Sequence, residues 1–358
     1  MNTLGNKLRV TVFGQSHGQA IGCVVDALPA GFRPDMERLS AFMARRAPGR
    51  SELATGRKEA DVPEILSGMV DGVLCGAPLC AVIPNGDHNS ADYEMLKNTP
   101  RPSHADLTAR MKFGTSCDLR GGGMFSGRLT APLCFAGGLA LQILEKEGIR
   151  IFAHIAQIGA VRDRKPDFAA IGTLPQDGEL PVFEKSAERA MRETIEAARR
   201  DGDSVGGVIR CFAAGLPAGL GEPMFGGVEN RLGAALFGIP AVRGVSFGDG
   251  FDAAAMRGSE HNDPYMVDDG RIVTRTNHAG GVLGGITTGM PLVVNVAIKP
   301  TPSIAREQET VDIEKMCGTT LSICGRHDPC IVPRAVPVVE AVTALTILDM
   351  LMEDPSWN

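Results

Sequence analysis

Apolar and polar positions alternate in short runs along this chain, as in Arg9-Val10-Thr11-Val12. A period of two sends successive side chains to opposite faces of a strand, so such a run buries one face and wets the other. Segments rich in Val, Ile and Phe predict strands over 8–13, 20–27, 205–213, 242–247 and 292–299. Helices are expected over 36–46, 130–148, 185–200, 228–237 and 336–352. Asp35, after Arg33-Pro34, is the N-cap of the first, which ends before Pro48-Gly49. The 130–148 segment is mostly apolar, carries Lys146 in its last turn and stops at a glycine. The 185–200 segment is charged and keeps one side exposed. Strands interleaved with helices give an α/β or α+β protein, and one-sided strands favour antiparallel sheets backed by helices, an α+β arrangement.

The chain has 358 residues, enough for one large domain or two small ones. No repeat, low-complexity tract or Ser/Pro-rich linker divides it. One domain over 1–358, with its last few residues flexible, is therefore expected. The near-apolar stretch 335–352 is broken by Pro337, Glu340 and Asp349, too interrupted for a membrane span. The first 18 residues lack a charged segment followed by an apolar one, so the chain reads as cytoplasmic. Nine cysteines lie singly, with no C-x-x-C pair. Neither a disulfide framework nor a zinc ribbon is supported, and the cysteines read as reduced thiols, mostly small buried hydrophobes.

A net charge of -6 argues against general binding to nucleic acid or anionic membrane. The basic residues are more telling: of 36, 27 are Arg and nine are Lys. Arginine grips carboxylates and phosphates through paired hydrogen bonds, so the bias suits a polyanionic small ligand, although a GC-rich genome gives the same bias. Glycine accounts for 44 of the 358 residues, above the usual ~7%. The clusters at 121–123, 137–138, 280–281 and 284–285 admit positive φ and close approach of backbone amides to a ligand, or mark tight turns in a packed fold.

Four of the seven histidines occupy polar, turn-like contexts: His17 in Gln15-Ser16-His17-Gly18, His104 in Arg101-Pro102-Ser103-His104, His278 before Ala279-Gly280-Gly281, and His327 after Gly325-Arg326. Ser103 offers an N-cap for a helix beyond His104. Turns on rigid scaffolds are where reactive groups gather. No H-E-x-x-H or other helical ligand spacing points to a metal, and none is expected. Ser16 and His17 are adjacent, point in different directions and lack a G-x-S-x-G elbow, which excludes a Ser–His hydrolase. Arg120 to Arg128, with three consecutive glycines, leads into the 130–148 helix, whose amino end suits phosphate or an anionic ring. It matches neither a P-loop nor a dinucleotide fingerprint. Lys299-Pro300-Thr301-Pro302-Ser303 offers a cation and two hydroxyls on a stiff loop. Arg45, Arg46 and Arg50 flank Pro48-Gly49, as in a solvated helix end.

In this order the segments resemble one family, chorismate synthase, from 9 to about 350, essentially the whole chain. The resemblance rests on RVTVFGQSHG (9–18), ARRAPG (44–49), RPSHAD (101–106) and RGGGMFSGRLTAP (120–132). It continues through GDSVGG (202–207), GLPAGLGEPMF (215–225), GDGF (248–251), MRGSEHND (256–263), NHAGGVLGGI (277–286), KPTPSI (299–304) and GRHDPC (325–330).

What the resemblance implies is a trans-1,4 elimination of phosphate from 5-enolpyruvylshikimate 3-phosphate, giving chorismate. Reduced FMN is required without net redox change, and NADPH enters at most as an indirect reductant. The implied fold is a single-domain β-α-β sandwich, assembled as a homotetramer. A substrate with a phosphate and two carboxylates beside an anionic flavin accounts for the arginine bias. By resemblance, His17 protonates the leaving phosphate with Ser16 beside it, and His104 maintains the protonation state of the reduced flavin. Asp328 acts near flavin N5, helping that nitrogen accept the C6 proton, and Ser126 joins these catalytic candidates. FMN contacts carry over to Met124, Phe125 and Ser126, to Pro240, Ala241 and Gly284, to Lys299, Pro300, Thr301, Pro302 and Ser303, and to Arg326 and Arg46. Arg45, Arg46 and Arg128 are implied at the substrate. His261 and His278 are read as structural or pocket-lining.

The chain departs from the family pattern in places. Gln15 stands where an acidic residue is common, Glu52 where many members carry Arg, and Gly127 where Ala is common. Met124-Phe125 replaces a frequent Arg-Ser, so backbone amides of 122–126, the following helix end, Lys299 and Arg326 are expected to carry the flavin instead. A non-catalytic FMN- or phosphate-binding homologue and an NAD(P)H-dependent flavin oxidoreductase are the competing readings. Retention of His17, His104 and Asp328 argues against the first, and the missing dinucleotide fingerprint against the second.

Overall fold

The alternating segments do pair into antiparallel sheets. A computed structural model of the chain describes residues 2–49, 61–86, 97–165, 180–323 and 328–355. One five-stranded sheet runs, in spatial order, Thr3–Leu4, Arg9–Gly14, Ala20–Asp26, Leu79–Pro84, Glu64–Ser67. A second runs Val242–Phe247, Leu292–Ile298, Gly207–Ala214, Arg150–Ile158, Val161–Arg162. Every ladder in both sheets is antiparallel. Ile21, Cys23 and Val25 point into the core, and their register partners Ile83, Ala81 and Leu79 do the same. One strand face therefore supplies core, as the alternation requires.

The helices Met36–Arg46, Thr130–Lys146 and Val332–Glu353 pack on one another between the two sheets. Thr130–Lys146 lies against the first sheet and Val332–Glu353 against the second, which gives the expected β-α-β layering. One cluster of buried apolar residues extends from Leu8 to Leu351. Gly137-Gly138 belongs to this packing and not to a ligand site. A Cβ on Gly137 would overlap Ala341 of the facing helix, and one on Gly138 would meet Leu39.

Val332–Glu353 opens a turn earlier than expected, at Val332, and takes Pro337 into its interior. The buried contacts of Ala335, Val336 and their neighbours outweigh the hydrogen bond that proline removes. By length and composition this helix passes for a membrane span despite its interruptions, but 94% of its apolar window is buried in the protein. Its two buried acids, Glu340 and Asp349, are both satisfied. Asp349 accepts the amides of Asn6, Lys7 and Leu8 at 2.8–3.0 Å. Glu340 binds Arg45 at 2.7 and 3.1 Å and accepts the Ala153 amide at 2.8 Å.

Candidate active site

A cavity of about 530 Å³ opens among the 101–106 turn, the glycine turn at 120–128, the 237–242 segment, the 299–303 loop and the start of Val332–Glu353. The glycine turn is the hinge of this site. Gly121, Gly122 and Gly123 all have positive φ, at 59°, 90° and 54°. That is a path closed to an ordinary side chain over three residues. Bare backbone here lets two imidazoles approach. A Cβ on Gly121 would overlap the His17 ring, and one on Gly122 would lie 3.3 Å from His104 Nε2. The turn is tied to the His17 loop by the Ser16 amide, which donates to the Gly123 carbonyl at 3.2 Å.

His17 is 5% exposed and stands behind Gly121, which lines the cavity. The Ser16 hydroxyl donates to the Arg120 carbonyl at 2.9 Å and lies 3.3 Å from His17 Nδ1. Asp118 accepts a fork from Arg120 at 2.8 and 2.9 Å. Its carboxyl is held below the usual range, first by the hydrogen bond from Arg120 and in part by the charge of His17. His104 lines the cavity, with Nδ1 2.6 Å from Asp106 Oδ1. The Asp106–Phe113 helix is capped by Ala105 without a side-chain bond, so Ser103 is not the N-cap expected from the sequence. Ser103 adopts φ 58° and offers its carbonyl to the Lys299 ammonium.

Cations gather around this turn. Arg46 binds Asp61 at 2.5 Å, Thr130 Oγ1 at 3.1 Å and the Gly127 carbonyl at 3.1 Å. Arg128 binds the other oxygen of Asp61, and its Nε donates to Asn85 Oδ1 at 3.1 Å. Burial of Asp61 disfavours its charge, yet Arg46 and Arg128 together hold its carboxyl below the usual range. Arg334, half-buried, binds Asp328 and donates to the Arg46 carbonyl at 2.9 Å. Burial lowers the Lys299 ammonium from its ordinary value, and Arg243 adds to the shift. Arg46, Arg101, Arg128, Arg334 and Lys299 face Asp61, Asp106 and Asp328, an excess of two positive charges among the described residues. Such an excess in a partly dry cleft attracts an anion.

Of the residues singled out from the sequence, Arg46, His104, Met124, Phe125, Ser126 and Arg128 line this cavity. So do Pro240, Ala241, Lys299, Thr301, Pro302, Ser303 and Asp328. Ser16, His17 and Pro300 stand behind that lining. Arg45 does not join it, because its guanidinium is committed to Glu340 across the helical layer. Gly284 lies in the turn between Val282–Leu283 and Ile286–Thr287, also away from the lining. Arg326 and Glu52 fall outside the described residues. The amides of Gly122 and Ser126 are used within the turn, by the Leu119 and Gly123 carbonyls. Asp61, Arg101, Asp106 and Arg334 are further site residues. Arg101 and Asp106 were visible in the RPSHAD segment, whereas nothing local to Asp61 or Arg334 marks them.

Arg46 is no solvated helix end. Arg46→Ala strips a buried carboxylate of one of its two guanidinium partners, a change that costs about 3–5 kcal/mol. Urea unfolding will show that loss, together with weakened anion binding. Unchanged stability would mean that Asp61 finds its charge balance in Arg128 alone.

The chain matches the chorismate synthase family model over residues 8–352. It is 47% identical over 350 residues to chorismate synthase of Korarchaeum cryptofilum, covering 97% of this chain and 96% of that one. It is 48% identical over 354 residues to that of Archaeoglobus fulgidus, covering 99% and 98%. A crystal structure of chorismate synthase superposes with a TM-score of 0.72 at 27% identity, over 98% of this chain and 93% of that one. Sequence and fold converge: the chain belongs to the chorismate synthase family, lyases of the shikimate pathway.

Proposed function

We propose that this cavity binds 5-enolpyruvylshikimate 3-phosphate together with reduced FMN and eliminates phosphate in a trans-1,4 sense to give chorismate. The observation that carries the reading is two imidazoles, His17 and His104, seated on adjacent glycines beside a cleft with surplus positive charge. A phosphate leaving group develops negative charge as its bond to carbon breaks. A proton on His17 stabilises that charge, with the Ser16 hydroxyl next to the ring. Arg46 and Arg128 are the substrate-facing cations. Arg45 is left out, since Glu340 holds it.

The residues present suit a flavin. The cavity falls within the roughly 300–1,000 Å³ of small-ligand sites. Ile239, Pro240, Ala241, Val242 and Val338 give it an apolar wall for a flat ring. Lys299, Thr301 and Ser303 would hold the anionic end, with Met124 and Phe125 against the ring. When bound, reduced FMN would supply electron density that assists loss of phosphate. His104 would keep a proton balance at the cavity wall, and the Asp328 carboxylate, held by Arg334, would take up a proton there. Lys299→Ala is expected to weaken FMN binding tenfold or more by fluorescence titration, and normal affinity would remove Lys299 from the flavin site.

The reading extends to a single-domain, cytoplasmic enzyme with thiols reduced, using NADPH only as an indirect source of electrons. It also extends to a homotetramer. The hairpin of Tyr265–Asp268 and Arg271–Thr274 exposes Tyr265, Met266, Val267 and Ile272 on both faces, which favours a partner copy. Gly284, assigned to FMN by resemblance yet away from the cavity of one chain, fits the same view. Anaerobic incubation with substrate and reduced FMN tests the function. Phosphate and chorismate are expected in equal amounts with no net oxidation of flavin, and absence of phosphate release would overturn it.

A further inference from the structure

His104 is held from behind by residues that the proposed elimination leaves without a task. Its Nδ1 lies 2.6 Å from Asp106 Oδ1, and Asp106 is 2% exposed at the first position of the Asp106–Phe113 helix. Arg101 closes a fork on the same carboxylate, with Nε to Oδ2 and Nη2 to Oδ1 both at 2.7 Å. The Arg101 amide adds a third bond to Oδ2 at 3.1 Å. Burial alone would favour the neutral acid, but the hydrogen bonds from Arg101 and His104 hold the Asp106 carboxyl well below the usual range.

An ionised carboxylate only accepts hydrogen bonds. The ring nitrogen facing it must therefore carry hydrogen, which leaves Nε2 as the atom presented to the glycine turn. The 3.0 Å approach of Arg101 Nη2 to the same Nδ1 is then a contact between two donors and not a bond. Arg101 also compensates the charge of Asp106, so the imidazole receives a directional acceptor more than a net negative field. We propose that Asp106, braced by Arg101, is the positioning residue that fixes the tautomer and aim of His104 for the elimination. The inference rests on the role given to His104 above. Its reach extends further, because Arg101 Nη1 donates to Ser303 Oγ at 3.2 Å, and Ser303 belongs to the loop assigned to FMN. The same turn is held on its other side by the Lys299 ammonium on the Ser103 carbonyl. His104 is thus aimed by groups that also shape the cofactor end of the cavity.

The test is Asp106→Asn. An asparagine there gives its oxygen to Arg101 and turns its NH₂ toward His104 Nδ1, so the hydrogen must move to Nε2. The ¹⁵N resonances of the His104 ring in the purified protein should report that exchange. Turnover should fall about 10²-fold or more, while KM for substrate and FMN affinity change less than about threefold. Arg101→Lys keeps both charges and loses the fork. It should retain the parent tautomer with turnover reduced about tenfold, and it carries the test if Asp106→Asn does not fold. An unchanged tautomer in Asp106→Asn, or an exchanged one in Arg101→Lys, overturns the positioning role. An exchanged tautomer with full turnover in Asp106→Asn upholds the positioning and overturns the assignment of His104.

Discussion

His104→Ala and His17→Ala should each slow turnover by roughly 10²–10⁴-fold, the range for loss of a general acid or base. Their flavin affinity should survive. His104 occupies the cavity wall, and His17 packs beside the glycine turn. The two losses differ in origin. In the proposed reading His17 would meet charge on departing phosphate, beside the Ser16 hydroxyl, whereas His104 is held by the carboxylate of Asp106. Anaerobic kinetics at saturating reduced FMN measure both. A variant with near-parent turnover would remove that histidine from the chemistry.

Gly121→Ala should do comparable damage through a single methyl group. At φ 59° an alanine is strained by about 1–3 kcal/mol. Its Cβ would in addition overlap the His17 ring and approach Ser16 Oγ to 2.7 Å. The ring cannot retreat freely, because it is buried and its loop is bonded to Gly123. Something must move by about an ångström, and a misplacement of that size costs about 10²-fold in rate. Turnover and thermal melting measured together separate the two effects. Full activity would show that His17 does not depend on this turn for its place.

How far the sequence reaches is clearest at individual residues. Asp35 marks the start of the first helix, where it accepts the amides of Glu37 and Arg38 at 3.0 Å, and the helix ends at Arg46 as expected. The bounds of Lys185–Arg200 and Val228–Phe237 also follow from local pattern. The strands Leu79–Pro84 and Arg150–Ile158 do not. In the second, His154 and Gln157 interrupt the apolar run, and only the fold reveals that His154 is buried against Asp163 at 3.1 Å.

The site divides the same way. His17, His104 and the triple glycine stand in short continuous motifs, so their chemistry is readable in one dimension. Arg45 and Arg46 are neighbours in sequence, yet one turns to Glu340 and the other to Asp61. Their fates depend on packing between segments far apart in the chain. Asp106 could be named but not given its task until the fork from Arg101 was seen around it.

The central claim is that one cavity brings flavin and substrate against the two histidines. A crystal structure with oxidised FMN and 5-enolpyruvylshikimate 3-phosphate tests it most directly. The flavin ring should lie along 239–242 with its phosphate at the 299–303 loop, and the substrate phosphate within hydrogen-bond reach of His17 and the cavity arginines. Flavin bound elsewhere on the chain, or substrate phosphate remote from His17, would contradict the account.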